Sequence, residues 1–209
     1  MPGRVSEAVI RRLPGYYRHL RELEAAGVTQ ISSQELGARM QQTPSQIRQD
    51  MNCFGGFGRQ GYGYNVSELK EHIGQILGLD HPHHLIILGA GSIGSAVIHY
   101  PTFSREGFET VAVFDVDPAK IGTEMAGIVI RDAADLEGFL QENTVDIAVL
   151  ALPARSAQQT LDRLIACGIR AVWNFAPTDL RHGDEVTVVN VHLSDSLQIL
   201  SYRMAHQND

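Results

Sequence analysis

Gly89, Gly91 and Gly94 follow an apolar run, Leu85-Ile86-Ile87-Leu88, and form the loop Gly89-Ala90-Gly91-Ser92-Ile93-Gly94. A buried strand, a glycine turn and a helix start, in that order, are what a bound dinucleotide requires. Gly89 lets the chain turn sharply, Gly91 lets backbone N–H groups approach a pyrophosphate, and Gly94 lets the new helix lie close on the strand. The phosphates then sit against the positive end of the helix. A second apolar run, Val111-Ala112-Val113-Phe114, ends in Asp115, about twenty residues beyond the last glycine as the fingerprint expects. A carboxylate there accepts from both hydroxyls of the adenosine ribose and repels a 2′-phosphate, which favours NAD(H) over NADP(H). Val116 follows it directly, and Asp117-Pro118 reads as a helix start leading to Lys120.

Eighty-eight residues precede this loop, and their polar side chains suggest a different chemistry, the reading of DNA. Thr43-Pro44-Ser45-Gln46 combines a Thr cap, Pro at the first helical position and Gln at the third. Ile47 and Met51, four apart, anchor that helix to a core, while Ser45, Gln46, Arg48 and Gln49 project outward. Arg and Gln match guanine and adenine edges in the major groove. Asp50 is the exception, better suited to pair with a neighbouring basic side chain than to face phosphate. Downstream, Gly58 to Val66 alternates glycines with aromatics like a small hairpin or wing, with Arg59 at its base placed to enter a minor groove and Gly61 a further DNA-binding candidate. The competing reading is a helical interaction domain with solvated polar faces.

The elements that must hold these groups are legible around them. Ser6 through Ala26 is a helical pattern with Val9, Leu13, Tyr16, Tyr17, Leu20 and Leu23 as its apolar stripe and Gly27 as its stop. Pro14 and Gly15 predict either a kink or a restart near Gly15. Ser32 with Glu35 three residues on starts a second helix, and the Thr43 helix runs to Gly55-Gly56, making a helix-turn-helix. Ser67 to Leu79 is a further helix on Leu69, Ile73, Ile76 and Leu77. Gly78 to His84 breaks the pattern and marks the boundary between parts. Its three histidines lack companion ligands at metal spacing and read as a linker.

From Gly89 onward strands and helices alternate. Gly127–Ile130, Asp146–Ala151, Ala171–Asn174 and Glu185–Val191 read as further strands, with crossovers led by Asp132, Ala154 and Pro177. The expected fold is α/β, a winged-helix domain followed by a Rossmann-like doubly wound parallel sheet that binds ligands at the carboxyl ends of its strands. Leu152-Pro153 and Asn174-Phe175-Ala176-Pro177 sit at such ends, placed to line the nicotinamide half.

Composition sets outer limits. With 209 residues, 44% of them hydrophobic, the chain can bury one large core or two small ones. No apolar run approaches the roughly twenty residues that span a bilayer. Met1-Pro2-Gly3-Arg4 lacks a signal-peptide core, so a cytoplasmic protein is expected. Cys53 and Cys167 are far apart with no CxxC, so neither a disulfide framework nor a metal site is expected. The net charge of −7 argues against a nucleic-acid binder until it is divided: residues 1–75 hold nine Lys and Arg against seven Asp and Glu, and residues 76–209 hold eight against seventeen. A mildly basic part joined to a strongly acidic one suggests a local DNA surface on a body that discourages indiscriminate binding.

With these pieces placed, the chain closely resembles the redox-sensing transcriptional repressor Rex family over almost its whole length. The strings that carry the resemblance are Arg12-Leu13 with Tyr17-Arg18, Gln46-Ile47-Arg48 followed by Asp50, Phe54-Gly55, Gly61-Tyr62-Gly63-Tyr64-Asn65-Val66, the GAGSIG loop, Tyr100-Pro101, Phe114-Asp115-Val116-Asp117-Pro118 and Asn174-Phe175-Ala176-Pro177. The resemblance implies a homodimer that binds operator DNA when NADH is scarce and releases it when NADH accumulates. It implies three parts: a DNA-binding domain at 1–80, an NAD(H)-binding domain at 81–192 and a domain-swapped helix at 193–209. Leu197, Leu200, Tyr202 and Met204 give that last segment more apolar surface than an exposed tail tolerates. Tyr100 and Leu193 are candidates for lining a nicotinamide pocket at the dimer centre.

The chain departs from the family at one place. Several relatives have an acid able to pair with the arginine corresponding to Arg18 or the tyrosine corresponding to Tyr100, where this chain has His192. The family's switch chemistry therefore does not carry over unaltered: either His192 hydrogen-bonds Tyr100 and adds pH sensitivity, or Asp195 supplies the carboxylate. Gln49 and Gln60, at positions often basic in relatives, suggest weaker phosphate attraction or an altered operator preference. The reading from another class is an NAD-dependent oxidoreductase with an appended helical domain. Against it, Lys70 and Lys120 are the only lysines and neither completes a Tyr-x-x-x-Lys pair, although His99, His192 and Tyr100 remain as proton donors. A third reading is a nucleotide-regulated module that binds a protein partner.

Overall fold

Ser32 and Thr43 begin two short helices as their side chains dictate. The Ser32 hydroxyl accepts from the Glu35 N–H at 3.1 Å while the Glu35 carboxylate accepts from the Ser32 N–H at 2.9 Å, a complete capping box. The Thr43 hydroxyl accepts from the Gln46 N–H at 3.2 Å, with Pro44 at the first helical position. These caps open α3 (Ser33–Met40) and α4 (Pro44–Asn52), which follow α1 (Glu7–Ile10), α2 (Leu13–Ala25) and β1 (Gln30–Ile31), and precede β2 (Tyr64–Asn65) and α5 (Val66–Ile76). The computed structural model describes residues 5–55 and 63–206.

The chain forms two compact units, residues 1–81 and 82–209. In the first, Leu13, Tyr16 and Leu20 of α2 meet Leu36, Ile47, Met51, Leu69 and Ile73 in one core. The long first helix breaks at Arg11-Arg12, and Pro14 falls inside the first turn of α2, where its missing N–H costs nothing, so Pro14 starts a helix instead of kinking one. Likewise α4 stops at Asn52, three residues short of Gly55. In α5 the cap is Asn65, and Ile76, expected in the core, is 38% exposed at the last turn. Of the expected wing only its end is described, β2 pairing antiparallel with β1. Arg59, Gln60 and Gly61 lie outside the described residues.

The second unit contains β3 (His83–Leu88), α6 (Ser92–Ile98), α7 (Pro101–Arg105), β4 (Phe108–Asp115), β5 (Glu124–Met125), β6 (Ile128–Asp132), α8 (Leu136–Glu142), β7 (Ile147–Leu150), α9 (Ala154–Ala166), β8 (Ala171–Asn174), β9 (Thr187–Asn190) and α10 (Leu193–Ala205). The sheet order is β5-β6-β4-β3-β7-β8-β9, parallel except for β5, which forms an antiparallel edge on β6. Alternation along β3 feeds two cores: Ile86 and Leu88 pack on one face with Leu136, Leu161 and Leu164, while Leu85 and Ile87 pack on the other with Val97 and Val113. The fold is thus α/β and doubly wound. Two details differ from expectation. Glu124–Met125 adds an unforeseen edge strand, and no helix follows Pro177, the passage from β8 to β9 being a loop. Helix α10 buries none of its side chains; Leu193 is 60% exposed and Leu197 67%. Among the described residues no helix is long and apolar enough to cross a membrane.

Candidate functional site

Strand order reverses at β3, whose neighbours β4 and β7 lead the chain to opposite sides of the sheet, and a crevice opens at such a point beyond the carboxyl ends of the strands. It measures about 590 Å³. Gly89 at φ 104° turns the chain out of β3, and a side chain there would stand 2.3 Å from the Ala151 carbonyl oxygen. At Gly94 a Cβ would lie 2.1 Å from the Gly89 oxygen, so only glycine lets α6 start so close to the strand. At Gly91, by contrast, a Cβ would meet nothing within 4 Å. Gly91 therefore leaves open space in front of the first turn of α6, whose N–H groups have no intrahelical partner and no side-chain cap. That is a cradle for a doubly charged pyrophosphate.

Gly89, Gly91, Ser92, Ile93, Asp115, Val116, Lys120, Leu152, Pro153, Phe175 and Pro177 all line this cleft. Ala90, Gly94, Tyr100, Asn174 and Leu193 do not. Asn174 is fully buried: its amide nitrogen donates to Thr178 O at 2.8 Å and Asn190 Oδ1 at 2.9 Å, and its oxygen accepts from the Ala176 N–H at 3.0 Å. Both its N–H groups are spent inside the protein, tying the loop after β8 to β9. Tyr100, half exposed, joins the cleft only through a run of rings, Tyr100 on Phe103 at 4.8 Å, Phe103 on Trp173 at 5.5 Å and Trp173 on Phe175 at 4.5 Å. Sequence reasoning missed Arg155, Ser156, Thr160 and Arg163, all on the cleft side of α9. The signal was present in the helical spacing of 156, 160 and 163, a stripe adjacent to the buried Ala157, Leu161 and Leu164. Arg163 is held rigid by Glu137 at 2.6 and 2.7 Å and by the Ala133 carbonyl at 2.9 Å.

Asp115 sits at the rim as expected but is already engaged. Its Oδ1 accepts from the N–H groups of Val116 and Asp117 at 2.8 and 2.9 Å, and its Oδ2 accepts from the Ala90 N–H at 2.7 Å and from Lys120 Nζ at 3.2 Å. Burial pushes the carboxyl up, but the Asp117 and Ala90 amides and the Lys120 ammonium outweigh it and hold the group below its ordinary value. Asp115 therefore also braces the glycine loop, and Lys120 is the one donor of the four free to move aside.

Within the chain His192 Nε2 lies 3.1 Å from Asp179 Oδ1, the Tyr100 ring packs on Phe103, and Asp195 stands in the first turn of α10. His192 is also the N-cap residue of α10. Arg18, the third member of the expected switch, lies exposed on α2 in the other unit.

In the first unit α3 and α4 meet through a tight turn with Gln41 left-handed at φ 54°. Gly37 permits it, because a Cβ there would stand 2.6 Å from the Gln42 carbonyl oxygen. Ile47 and Met51 are buried, and Thr43, Ser45, Arg48 and Gln49 are exposed together along α4. Arg48 reaches Ser33 Oγ at 3.1 Å. Asp50 turns inward: Arg12 meets it through Nε at 2.7 Å and Nη2 at 2.8 Å, as the sequence suggested for a basic neighbour.

Comparison with known proteins finds residues 4–52 matching the family described as "Putative DNA-binding protein N-terminus" and residues 80–178 matching the "CoA binding domain" family. The chain is 49% identical to the redox-sensing transcriptional repressor Rex of Thermoanaerobacter pseudethanolicus, over 96% of this chain and 90% of that one. It is 50% identical to Rex of Clostridium botulinum strain Eklund 17B, over 97% of each. Among solved structures it is similar to RSP in complex with β-NAD+ and operator DNA, at TM-score 0.93 and 48% identity, covering 98% of this chain and 94% of that one. It is also similar to RSP in complex with β-NADH, at TM-score 0.90 and 46% identity, covering 97% and 95%.

Proposed function

The chain belongs to the redox-sensing transcriptional repressor Rex family, and on that premise we propose that it holds operator DNA through its first unit and lets go when NADH fills the cleft of the second. The observation that carries this is the open space at Gly91 before an uncapped helix start, in a chain whose relatives of known structure bind both β-NAD+ with operator and β-NADH. It is a regulator and not an enzyme.

The division of labour follows the notation of the sequence: residues 1–80 for DNA, 81–192 for NAD(H), and 193–209 for a swapped helix joining two copies in the cytoplasm. Thr43, Ser45, Gln46, Arg48 and Gln49, with Arg59 and Gly61, face DNA. Gly91, Ser92 and Ile93 receive the pyrophosphate, and Asp115, with Val116 and Lys120, receives the adenosine ribose. Leu152, Pro153, Phe175 and Pro177 flank the nicotinamide. NADH brings a neutral nicotinamide where NAD+ brings a cationic one, and an apolar wall distinguishes the two. A ligand moves a two-state equilibrium only by its differential affinity, so NADH must bind the DNA-incompetent arrangement better, and operator and NADH are reciprocally antagonistic. Two copies of the exposed α10 supply the surface that two units must share.

The test is an electrophoretic shift with the promoter DNA upstream of its own gene, with and without NADH and at two pH values. Retarded DNA released by NADH supports the reading. DNA held equally well at saturating NADH refutes it.

A further inference from the structure

Asp50 is 1% exposed and receives four donors. Oδ1 accepts from Arg12 Nη2 and from Gln46 Nε2, both at 2.8 Å, and Oδ2 accepts from Arg12 Nε at 2.7 Å and Tyr16 Oη at 2.8 Å. A carboxylate offers about four acceptor positions, and all four are taken. Burial pushes the carboxyl up, but Arg12, Tyr16 and Gln46 together hold it below its ordinary value, so it stays ionised and donates nothing. The atom of Gln46 that faces Asp50 must therefore be the amide nitrogen. Among the described residues no hydrogen bond to Gln46 Oε1 is made, and Gln46, half-buried on α4, has the exposed Ser45 and Gln49 beside it.

We propose that Asp50 fixes the orientation of the Gln46 amide so that Gln46 reads an adenine in the major groove. The inference rests on α4 being the helix that enters the operator. A carboxamide has one edge bearing the oxygen and the N–H cis to it, and a second N–H trans to the oxygen. The paired edge accepts from adenine N6 and donates to adenine N7. The trans N–H is superfluous to that contact and is the one left for Asp50. Guanine would set its O6 acceptor against Oε1, acceptor against acceptor, and is rejected. Asp50, Arg12 and Tyr16 are positioning residues, tying the reading side chain to α2.

The test selects duplexes from a pool randomised over the half-site, using the full chain and Gln46→Ala, then measures affinity by fluorescence anisotropy on the preferred duplex. The native chain is expected to favour adenine over guanine about tenfold or more at one position of each half-site. Gln46→Ala is expected to lose that preference to within about twofold while keeping the others. Replacing that adenine by 7-deazaadenine, which has carbon in place of N7, is expected to weaken the native chain and leave Gln46→Ala unchanged. If the native chain selects a sequence and Gln46→Ala alters no position, or if the 7-deaza duplex binds both alike, the inference falls and the DNA reading stands. If the native chain selects no sequence at all, both fall.

Discussion

Two alanines three residues apart in the glycine loop should fail in opposite ways. At Gly94 the new methyl would lie 2.1 Å from the Gly89 oxygen and 3.2 Å from Ile87 Cγ2. The nearest obstruction is backbone, so α6 must lift from β3. Overpacking of this kind costs about 1–3 kcal/mol, which lowers the melting temperature by on the order of 5–10 °C. At Gly91 a methyl meets no atom within 4 Å, and φ −90°, ψ −166° is extended backbone open to any residue. Gly91→Ala should therefore fold as well as native or better by about 0.4–1 kcal/mol, through the stiffer unfolded chain. The same methyl projects into the space before the first turn of α6 and displaces one charge-assisted hydrogen bond of about 1.5–3 kcal/mol, weakening NADH on the order of 10–100-fold. Thermal melting and fluorescence titration with NADH separate the two effects. Native affinity in Gly91→Ala would show that no pyrophosphate passes over that glycine and would refute the cleft as read.

Asp115→Ala should do two things at once, because the carboxylate also satisfies the buried Ala90 N–H. An orphaned amide costs about 1–3 kcal/mol, so both melting temperature and NADH response should fall while operator binding persists; an unchanged melting curve would contradict the bracing role. Arg48→Ala should do the reverse, weakening operator binding with NADH affinity intact in a direct titration. For Asp50, whose folded-state value is depressed, the stabilisation is complete above the ordinary carboxylate value of 3.8 and vanishes as pH falls through the lower folded one. The unfolding free-energy gap between native and Asp50→Asn, on the order of 3 kcal/mol at neutral pH by denaturant titration, should hold steady above about pH 5 and narrow below about pH 4. A gap independent of pH down to 2 would sink that account. Leu197→Glu with Leu200→Glu, on a helix that buries nothing within its own chain, should halve the mass seen by light scattering, and an unaltered mass would exclude α10 as the joint.

Local chemistry was the legible part of the sequence. Thr43-Pro44 and Ser32 with Glu35 carry their caps within four residues, and the glycine loop carries its own steric logic, so each was readable without a partner. Pro14 left a kink and a restart both open, because a proline interrupting an apolar stripe looks the same whether it bends a helix or begins one; the chain takes the restart, at Leu13, and Arg12 just before it pairs with Asp50 across 38 residues. Asn174 looked like a ligand group because it ends a strand, but its three hydrogen bonds come from the later loop and from β9. The cleft side of α9 was overlooked for the opposite reason. Polar residues on an amphipathic helix read as solvated until the strand beside them turns that face into a wall.

The loop after β8 has one more consequence. Phe175 and Pro177 form part of the cleft wall, Asp179 stands two residues on, and its carboxylate meets His192 at the very start of α10. The cleft wall and the residue that opens the helix are thus clasped by one side-chain contact, and its grip is no more than a single hydrogen bond supplies.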